Sequence, residues 1–265
     1  MNNRQCVLSL IIFILSQTSL AADWPKFELT NAVLVRSLKA QTIDISDDPV
    51  YKSAKQYQAY PLSDIIKKLA IPDGQQSEDW MVVFTATDGY KVAMTYPDAL
   101  QEQGYIALKD NSAGSNNWQS FKSGKKTITP EPYYLVWSKA GLDEWRYPWP
   151  FQLTTVSLQP ATEYYGAAAP TNSNDTQVKN GFSLFSRYCI RCHSVNLAGG
   201  TVGPELNIPK NVSEYFKEQE LAGFIRNAPA YRAGTKMPSF EALISVKDTQ
   251  AIVQYLNQKK SEKVQ

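Results

Sequence analysis

The sequence predicts two domains: an α+β domain, mostly strands, over residues 22–160 and an all-α domain over residues 175–265. The first observation is length, since 265 residues are enough for two domains. The second is pattern, because short runs rich in β-branched and aromatic residues dominate the first part and helical periodicity dominates the last. The third is composition, since all six tryptophans lie before residue 150.

Residues 1–21 have the pattern of a secretory signal peptide. Arg4 supplies a small positive charge, residues 7–15 form an apolar segment, and residues 19–21 form a small-x-small cleavage site. We therefore expect cleavage after this segment and export of the mature chain to the periplasm. An uncleaved anchor is the alternative, although the apolar segment is short for spanning a bilayer.

Strands and one helix are predicted for the N-terminal domain. The turn Asp88-Gly89 predicts a hairpin, because glycine accepts the positive φ that such a turn needs. Asp47 and Asp48 are interpreted as a solvated turn, and the aromatic side chains as core and strand packing. The predicted elements are strands at 42–45, 81–87, 91–94 and 133–137 and a helix at 62–69, and the aromatic residues are Tyr51, Tyr57, Tyr60, Tyr90, Tyr96, Trp118, Trp137, Trp145 and Trp149.

The N-terminal domain contains the motifs YPLSDII at 60–66, TDGY at 87–90 and PYYLVW at 132–137. Together they resemble the molybdopterin-binding domain of the sulfite oxidase family. The resemblance implies a shared scaffold. Enzymes of that family hold molybdenum through a cysteine, whereas residues 22–188 contain no cysteine. We therefore expect the scaffold without its catalytic centre, and we do not expect molybdopterin as a cofactor.

Residues 161–174 are predicted to link the two domains. The second part of this segment, residues 166–174, is small and polar and has no periodicity. We therefore place the domain boundary there.

Three helices are predicted in the C-terminal domain. The first runs from Asp175 or Thr176 to about Tyr188. Gly181 lies inside it. Because glycine weakens a helix by about 1 kcal/mol relative to alanine, its presence indicates a close backbone approach, with Tyr255 as the expected neighbour. The second helix is predicted near 213–227 and the last from Ser245, and the inward-facing residues are expected to be Val178, Phe182, Phe185, Leu221, Phe224, Ile225, Ile252, Val253 and Leu256.

The first helix leads into the pentapeptide CIRCH, in which Cys189 and Cys192 precede the only histidine, His193. This spacing attaches a c-type haem, because the two thiols can add to the porphyrin vinyl groups while the imidazole falls against the iron. A chance match and a thioredoxin-like pair are the alternatives, although such a pair normally opens a helix. A structural zinc site needs four Cys or His ligands. The chain has four such residues, and one of them, Cys6, lies in the predicted signal peptide, so too few remain for zinc. The sequence therefore predicts one covalent haem c.

Residues 175–265 are similar to the class I cytochromes c. The motifs that carry the similarity, in family order, are Gly181-x3-Phe185-x3-Cys189-x2-Cys192-His193, Gly203-Pro204, Met237-Pro238 and Tyr255-Leu256. The similarity implies that Cys189 and Cys192 form the haem thioethers. It also implies that His193 and Met237 are the axial ligands of the iron, and that the Pro204 carbonyl accepts a hydrogen bond from His193.

Elimination also indicates Met237 as the distal ligand. The chain has no second histidine, and Met237 is the only methionine after Cys192. The alternatives are a core methionine at this position, or ligation by Lys236, which would be favoured only at high pH. An iron with histidine and methionine ligands has no open position, so we expect the haem to pass electrons rather than to catalyse a reaction.

These observations predict a periplasmic electron carrier whose N-terminal domain binds a redox partner or a ligand. The expected partner is a periplasmic redox protein, with no integral membrane segment after signal cleavage. The formal net charge is +2 and neither domain is strongly basic, so no nucleic-acid partner is expected. Two alternatives stay open. The chain is a haem-containing subunit or fusion of a molybdopterin-type oxidoreductase, or its N-terminal domain is a sensor module coupled to the haem.

Overall fold

The structure is a computed structural model that describes residues 24–101, 103–171 and 174–264. The predicted signal peptide at residues 1–21 lies outside the described residues. The described chain has a β-rich N-terminal part and a helical C-terminal part, which confirms the predicted fold class.

The N-terminal part consists mostly of antiparallel strands. Its elements are β1 (Lys26–Glu28), α1 (Ala32–Val35), β2 (Gln41–Asp48), β3 (Ser53–Pro61), α2 (Leu62–Ile66), a 3-10 turn (Ser77–Asp79), β4 (Trp80–Ala86), β5 (Lys91–Thr95), α3 (Tyr96–Gln101), β6 (Gly104–Asp110), β7 (Phe121–Ser123), β8 (Lys126–Ile128), β9 (Tyr134–Trp137) and β10 (Leu153–Pro160).

Two four-stranded sheets form the layers of this part, with strand orders β1-β10-β4-β5 and β2-β3-β6-β9. β4 and β5 form the predicted hairpin, in which Val82 pairs with Met94 and Gly89 takes a φ of 84° in the turn. In β2, Ile43 and Ile45 are buried between exposed neighbours, so the strand predicted at 42–45 is confirmed and one of its faces lies in the core.

The helix predicted at 62–69 is shorter than expected. α2 ends at Ile66, and the N–H groups of Lys68 and Leu69 donate to carbonyls three residues back, as in a 3-10 turn. Pro72 follows, and a proline disfavours the helical conformation at the residue before it. The segment therefore tightens and leaves the helix before that point.

The prediction of a solvated turn is wrong for Asp48, which is completely buried. Its carboxylate accepts hydrogen bonds from the hydroxyls of Tyr57 at 2.9 Å and Tyr134 at 3.2 Å. It also accepts the backbone N–H groups of Val50 and Tyr51 at 2.9 and 3.0 Å. These four donors replace the water that a buried charge loses. Both hydroxyls come from other strands, so the local sequence gives no sign of them.

The first part of the predicted linker is folded. α4 (Ala161–Tyr165) follows β10 directly and leads into a 3-10 turn at Gly166–Ala168. The buried Ala168 carbonyl accepts the Tyr255 hydroxyl at 2.8 Å, and the Ala169 carbonyl accepts Lys259 Nζ at 2.9 Å. These contacts tie the segment to the C-terminal part, while the domain boundary at 161–174 stays a prediction.

The C-terminal part is helical. Its elements are α5 (Thr176–Tyr188), β11 (Ser194–Val195), β12 (Ala198–Gly199), a 3-10 turn (Val212–Glu214), α6 (Glu218–Arg226), α7 (Ala228–Tyr231) and α8 (Val246–Lys259). No helix in the described ranges is long and apolar enough to cross a membrane.

The helix predicted near 213–227 is divided into two elements. Asn211 caps the 3-10 turn by accepting the N–H of Ser213, and a second N-terminus follows at Lys217, whose N–H donates to the side chain of Glu220. Two N-terminal caps six residues apart start two separate turns. Pro229 lies in the first turn of the next short helix, α7, where proline is tolerated.

α5 and α8 cross at Gly181. A Cβ atom on Gly181 would lie 1.9 Å from the carbonyl oxygen of Ala251 and 2.9 Å from Cβ of Tyr255. The Tyr255 ring packs against Phe182 and Phe185, with centroids 5.5 and 5.1 Å apart. The close approach and its partner are therefore those that the sequence predicts.

Gly181→Ala should destabilise the C-terminal part by roughly 3 kcal/mol, because the added methyl group would overlap the backbone of α8. The matched control is Gly223→Ala in α6, where the added methyl group would meet the hydroxyl of Tyr231, an exposed side chain that can move aside. The free energy of unfolding in urea, followed by far-ultraviolet circular dichroism, measures both effects. Equal values for the two variants would contradict the proposed contact.

Candidate functional site

The CIRCH motif forms one turn at the end of α5. The N–H of Cys189 still donates to the Phe185 carbonyl, and those of Cys192 and His193 donate to the Cys189 carbonyl at 3.0 and 2.9 Å. Both thiols are free, with Cys189 buried and Cys192 half-buried. A single turn therefore brings together two thiols and an imidazole, the groups that attach and ligate a haem c.

Both thiols lie in surroundings that disfavour the thiolate. Burial, reinforced by the neighbouring Cys192, raises the pKa of the Cys189 thiol to about 12. Burial also raises the pKa of Cys192, although Arg191 acts in the opposite direction. A thioredoxin-like pair normally opens a helix, whereas this pair follows the end of α5.

The segment that contains Gly203 and Pro204 fixes the orientation of the His193 ring. Its Nδ1 lies 2.9 Å from the Pro204 carbonyl, which can only accept, so Nδ1 carries the proton and Nε2 has a free lone pair. Gly203 lies against the ring, where a Cβ atom would be 2.4 Å from Cε1. Burial lowers the pKa of His193 against the opposing effect of the Pro204 hydrogen bond. The neutral tautomer that can bind iron is thereby favoured.

Met237 lies in the loop between α7 and α8. Its side chain is partly buried and packs against the hydrophobic core of the C-terminal part, whereas the neighbouring Lys236 is exposed. The Met237 N–H donates to the Thr235 hydroxyl at 3.2 Å, and Gly234 takes a φ of 74°. The loop therefore presents a thioether, rather than an ammonium group, to the core that contains Cys189.

A buried asparagine network in the segment after His193 was not predicted from the sequence. The Asn207 amide donates to Asn196 Oδ1 and to the Lys259 carbonyl, both at 2.7 Å. The Asn211 amide donates to Asn207 Oδ1 at 2.6 Å and to the Leu256 carbonyl at 2.9 Å. These bonds fasten the loop to the last turns of α8. Three asparagines in one loop were the available signal, but their carbonyl partners lie about 50 residues away in sequence.

Glu205 anchors the same loop next to Pro204. Its carboxylate accepts the backbone N–H groups of Asn196 at 2.9 Å, Leu197 at 3.0 Å and Asn207 at 2.8 Å. Burial raises the pKa of Glu205, but a hydrogen bond from Ser194 and the backbone donors outweigh it and hold the pKa below its usual value. The ionised carboxylate therefore fixes the segment whose carbonyl orients His193.

The interpretation of Trp145 as a packing residue of the N-terminal domain is wrong. Its ring lies against Tyr188 and Phe240 of the C-terminal part, with centroids 5.8 and 5.3 Å apart. The Arg191 guanidinium lies 5.1 Å from the centre of the Trp145 ring and donates to its backbone carbonyl. Arg191 is a residue of the CIRCH turn, so this contact joins the N-terminal domain to the proposed haem-attachment site.

Comparison with known proteins identifies the C-terminal part. Residues 176–256 match the family model described as "Cytochrome C oxidase, cbb3-type, subunit III". The cytochrome c of Kluyveromyces lactis is 35% identical over 99 residues, a match that covers 29% of this chain and 86% of that protein. This chain belongs to the cytochrome c family. Haem c is therefore its cofactor, and the paired thiols and the free Nε2 of His193 fit that group.

Two further matches are more limited. The cytochrome c550 of Pseudomonas aeruginosa is 30% identical over 90 residues, which are 33% of this chain and 59% of that protein. A quinohemoprotein alcohol dehydrogenase from Pseudomonas putida HK5 aligns with 90% of this chain and 41% of its own, with 13% identity and a TM-score of 0.27. A score this low carries no argument about the N-terminal domain. Its resemblance to the sulfite oxidase family stays a prediction.

Met237→Ala should lower the haem reduction potential by on the order of 100 mV and let the ferrous protein bind carbon monoxide, because the variant lacks the proposed distal ligand. The matched control is Lys236→Ala, an exposed neighbour in the same loop, which should change neither property. Redox titration and carbon monoxide difference spectra measure both. If Lys236→Ala changes the potential and Met237→Ala does not, the methionine assignment is wrong.

Proposed function

We propose that this protein is a periplasmic electron-transfer protein with one covalent haem c, and that its N-terminal domain binds a redox partner or a ligand. The observation that carries the proposal is the arrangement of His193. Its Nδ1 is occupied by Pro204 and its Nε2 is free, directly after two thiols on one turn.

The proposed ligands suit electron transfer. With His193 and Met237 as its ligands, haem c would supply one-electron chemistry to this site. Cys189 and Cys192 hold the group, and the Pro204 carbonyl keeps the proton on Nδ1 of His193. Buried apolar side chains exclude water around the site, among them Phe185, Ile190, Leu221, Ile225 and Phe240.

The cellular location and the partners follow from other observations. The pattern of residues 1–21 supports export to the periplasm, where a periplasmic redox protein would be the donor or acceptor. This chain spans 59% of the length of the cytochrome c550 that it matches. The electron pathway of the whole protein is therefore part of this proposal.

A molybdopterin enzyme feeding electrons to its own haem is less well supported. The sequence has no cysteine between residues 22 and 188 that could hold molybdenum in the way the sulfite oxidase family does. Metal analysis of protein made in a host that synthesises molybdopterin separates the two proposals, since stoichiometric molybdenum would favour the enzyme.

The double variant Cys189→Ala with Cys192→Ala should lose covalent haem, because both thioether bonds are then impossible. Extraction into acidified organic solvent and haem staining of denaturing gels measure attachment. The control is Met237→Ala, which keeps both thiols and should keep the haem attached. Wild-type haem that extracts freely, or a redox titration of the wild type that does not follow a one-electron curve, would contradict the proposed function.

A further inference from the structure

A cavity of about 570 Å³ lies between the N-terminal domain and the CIRCH turn. Its walls come from the turn after β2, from the β4–β5 hairpin, from residues 144–152 and from the CIRCH turn itself. Its volume is in the range of sites for small molecules, which occur preferentially at domain interfaces.

The cavity shares one residue with the proposed haem site. Of the four proposed haem-holding residues, Cys192 lines it, whereas Cys189, His193 and Met237 do not. A molecule in this cavity would therefore meet the side of the haem that is bonded to Cys192.

Apolar residues form most of the cavity wall, and three of them, Trp145, Trp149 and Phe151, are aromatic. Tyr134 packs against Trp149 at 6.1 Å between centroids, and Phe121 packs against Phe151 at 5.2 Å. Because Trp149 and Phe151 each pack against a neighbouring ring, this part of the wall is formed before a ligand binds. Its shape suits a flat aromatic ring.

Five polar side chains also line the cavity, among them Gln152, whose amide already donates to the Thr129 carbonyl. Arg191 and Tyr90 supply donors, and the carboxylates of Asp88 and Glu144 supply acceptors. Within the described part of the chain, the hydroxyl of Tyr90, whose side chain is 36% exposed, has no hydrogen-bond partner. Two carboxylates beside one guanidinium disfavour a strongly charged ligand. The polar groups suit ring oxygens that accept in one form and donate in another.

We propose that this cavity binds a flat, uncharged aromatic molecule with ring oxygens, of the quinone and quinol class, against the Cys192 side of the haem. The oxidised form accepts hydrogen bonds from Arg191 and Tyr90, and the hydroxyls of the reduced form also donate to Asp88 or Glu144. The position of the ligand relative to the haem rests on the proposed function, whereas binding in the cavity does not require it.

The test uses the mature, haem-loaded chain and menadione, a two-ring quinone, as the probe. Equilibrium dialysis should show one saturable site, and naphthalene, which lacks the oxygens, should bind at least about tenfold more weakly. Proton nuclear magnetic resonance supplies a second readout. Menadione should shift the signal of the haem thioether methyl group next to Cys192 more than that next to Cys189.

Tyr90→Phe removes one donor and leaves the ring, so menadione should bind about fivefold to tenfold more weakly. The matched control is Tyr215→Phe, an exposed tyrosine of the C-terminal part that does not line the cavity, and it should bind as the wild type does.

Absence of saturable binding, equal affinity for naphthalene, or equal affinity of Tyr90→Phe and Tyr215→Phe would overturn the proposal. Loss of the thioether signals from wild-type protein would instead overturn the proposed function, because dialysis reports binding whether or not the haem is attached.

Discussion

The contact of α5 with α8 at Gly181 is the constraint on which the haem-binding part depends. The missing side chain lets the backbone of Ala251 approach to a distance that no Cβ atom would permit. α5 ends in the turn that carries both cysteines, and α8 supplies the carbonyls that hold Asn207 and Asn211. α5 therefore positions the thiols, and α8 holds the segment around Asn207 and Asn211, so a small displacement at their crossing would change the geometry of attachment and ligation together.

The second organising contact joins the two parts of the chain. Trp145 of the β-rich domain packs against Tyr188 and Phe240 in the core of the C-terminal part. Arg191 donates a hydrogen bond to the backbone carbonyl of Trp145. Arg191 lies between the two cysteines of the CIRCH turn, so a ligand or partner bound near Trp145, as proposed, would lie beside the haem-attachment site.

The sequence predicted the features that depend on local chemistry. The CIRCH turn, the glycine at the helix crossing and the hairpin at Gly89 each follow from a few adjacent residues. The missed features depend on partners distant in the chain: the buried Asp48 meets hydroxyls from other strands, and Trp145 packs in the other domain. Helix ends fall between these cases, because capping by Asn211 and the position of Pro72 were visible but competed with the apolar periodicity of the surrounding residues.

The proposed function depends on Met237 and His193 acting together as the two ligands of one haem. Proton nuclear magnetic resonance of the ferrous protein tests it directly, since a methionine methyl group held over the haem plane feels the ring current of the porphyrin. We expect a three-proton signal far upfield of the ordinary methyl region that disappears in Met237→Ala and persists in Lys236→Ala. A wild-type ferrous spectrum without such a signal would contradict it.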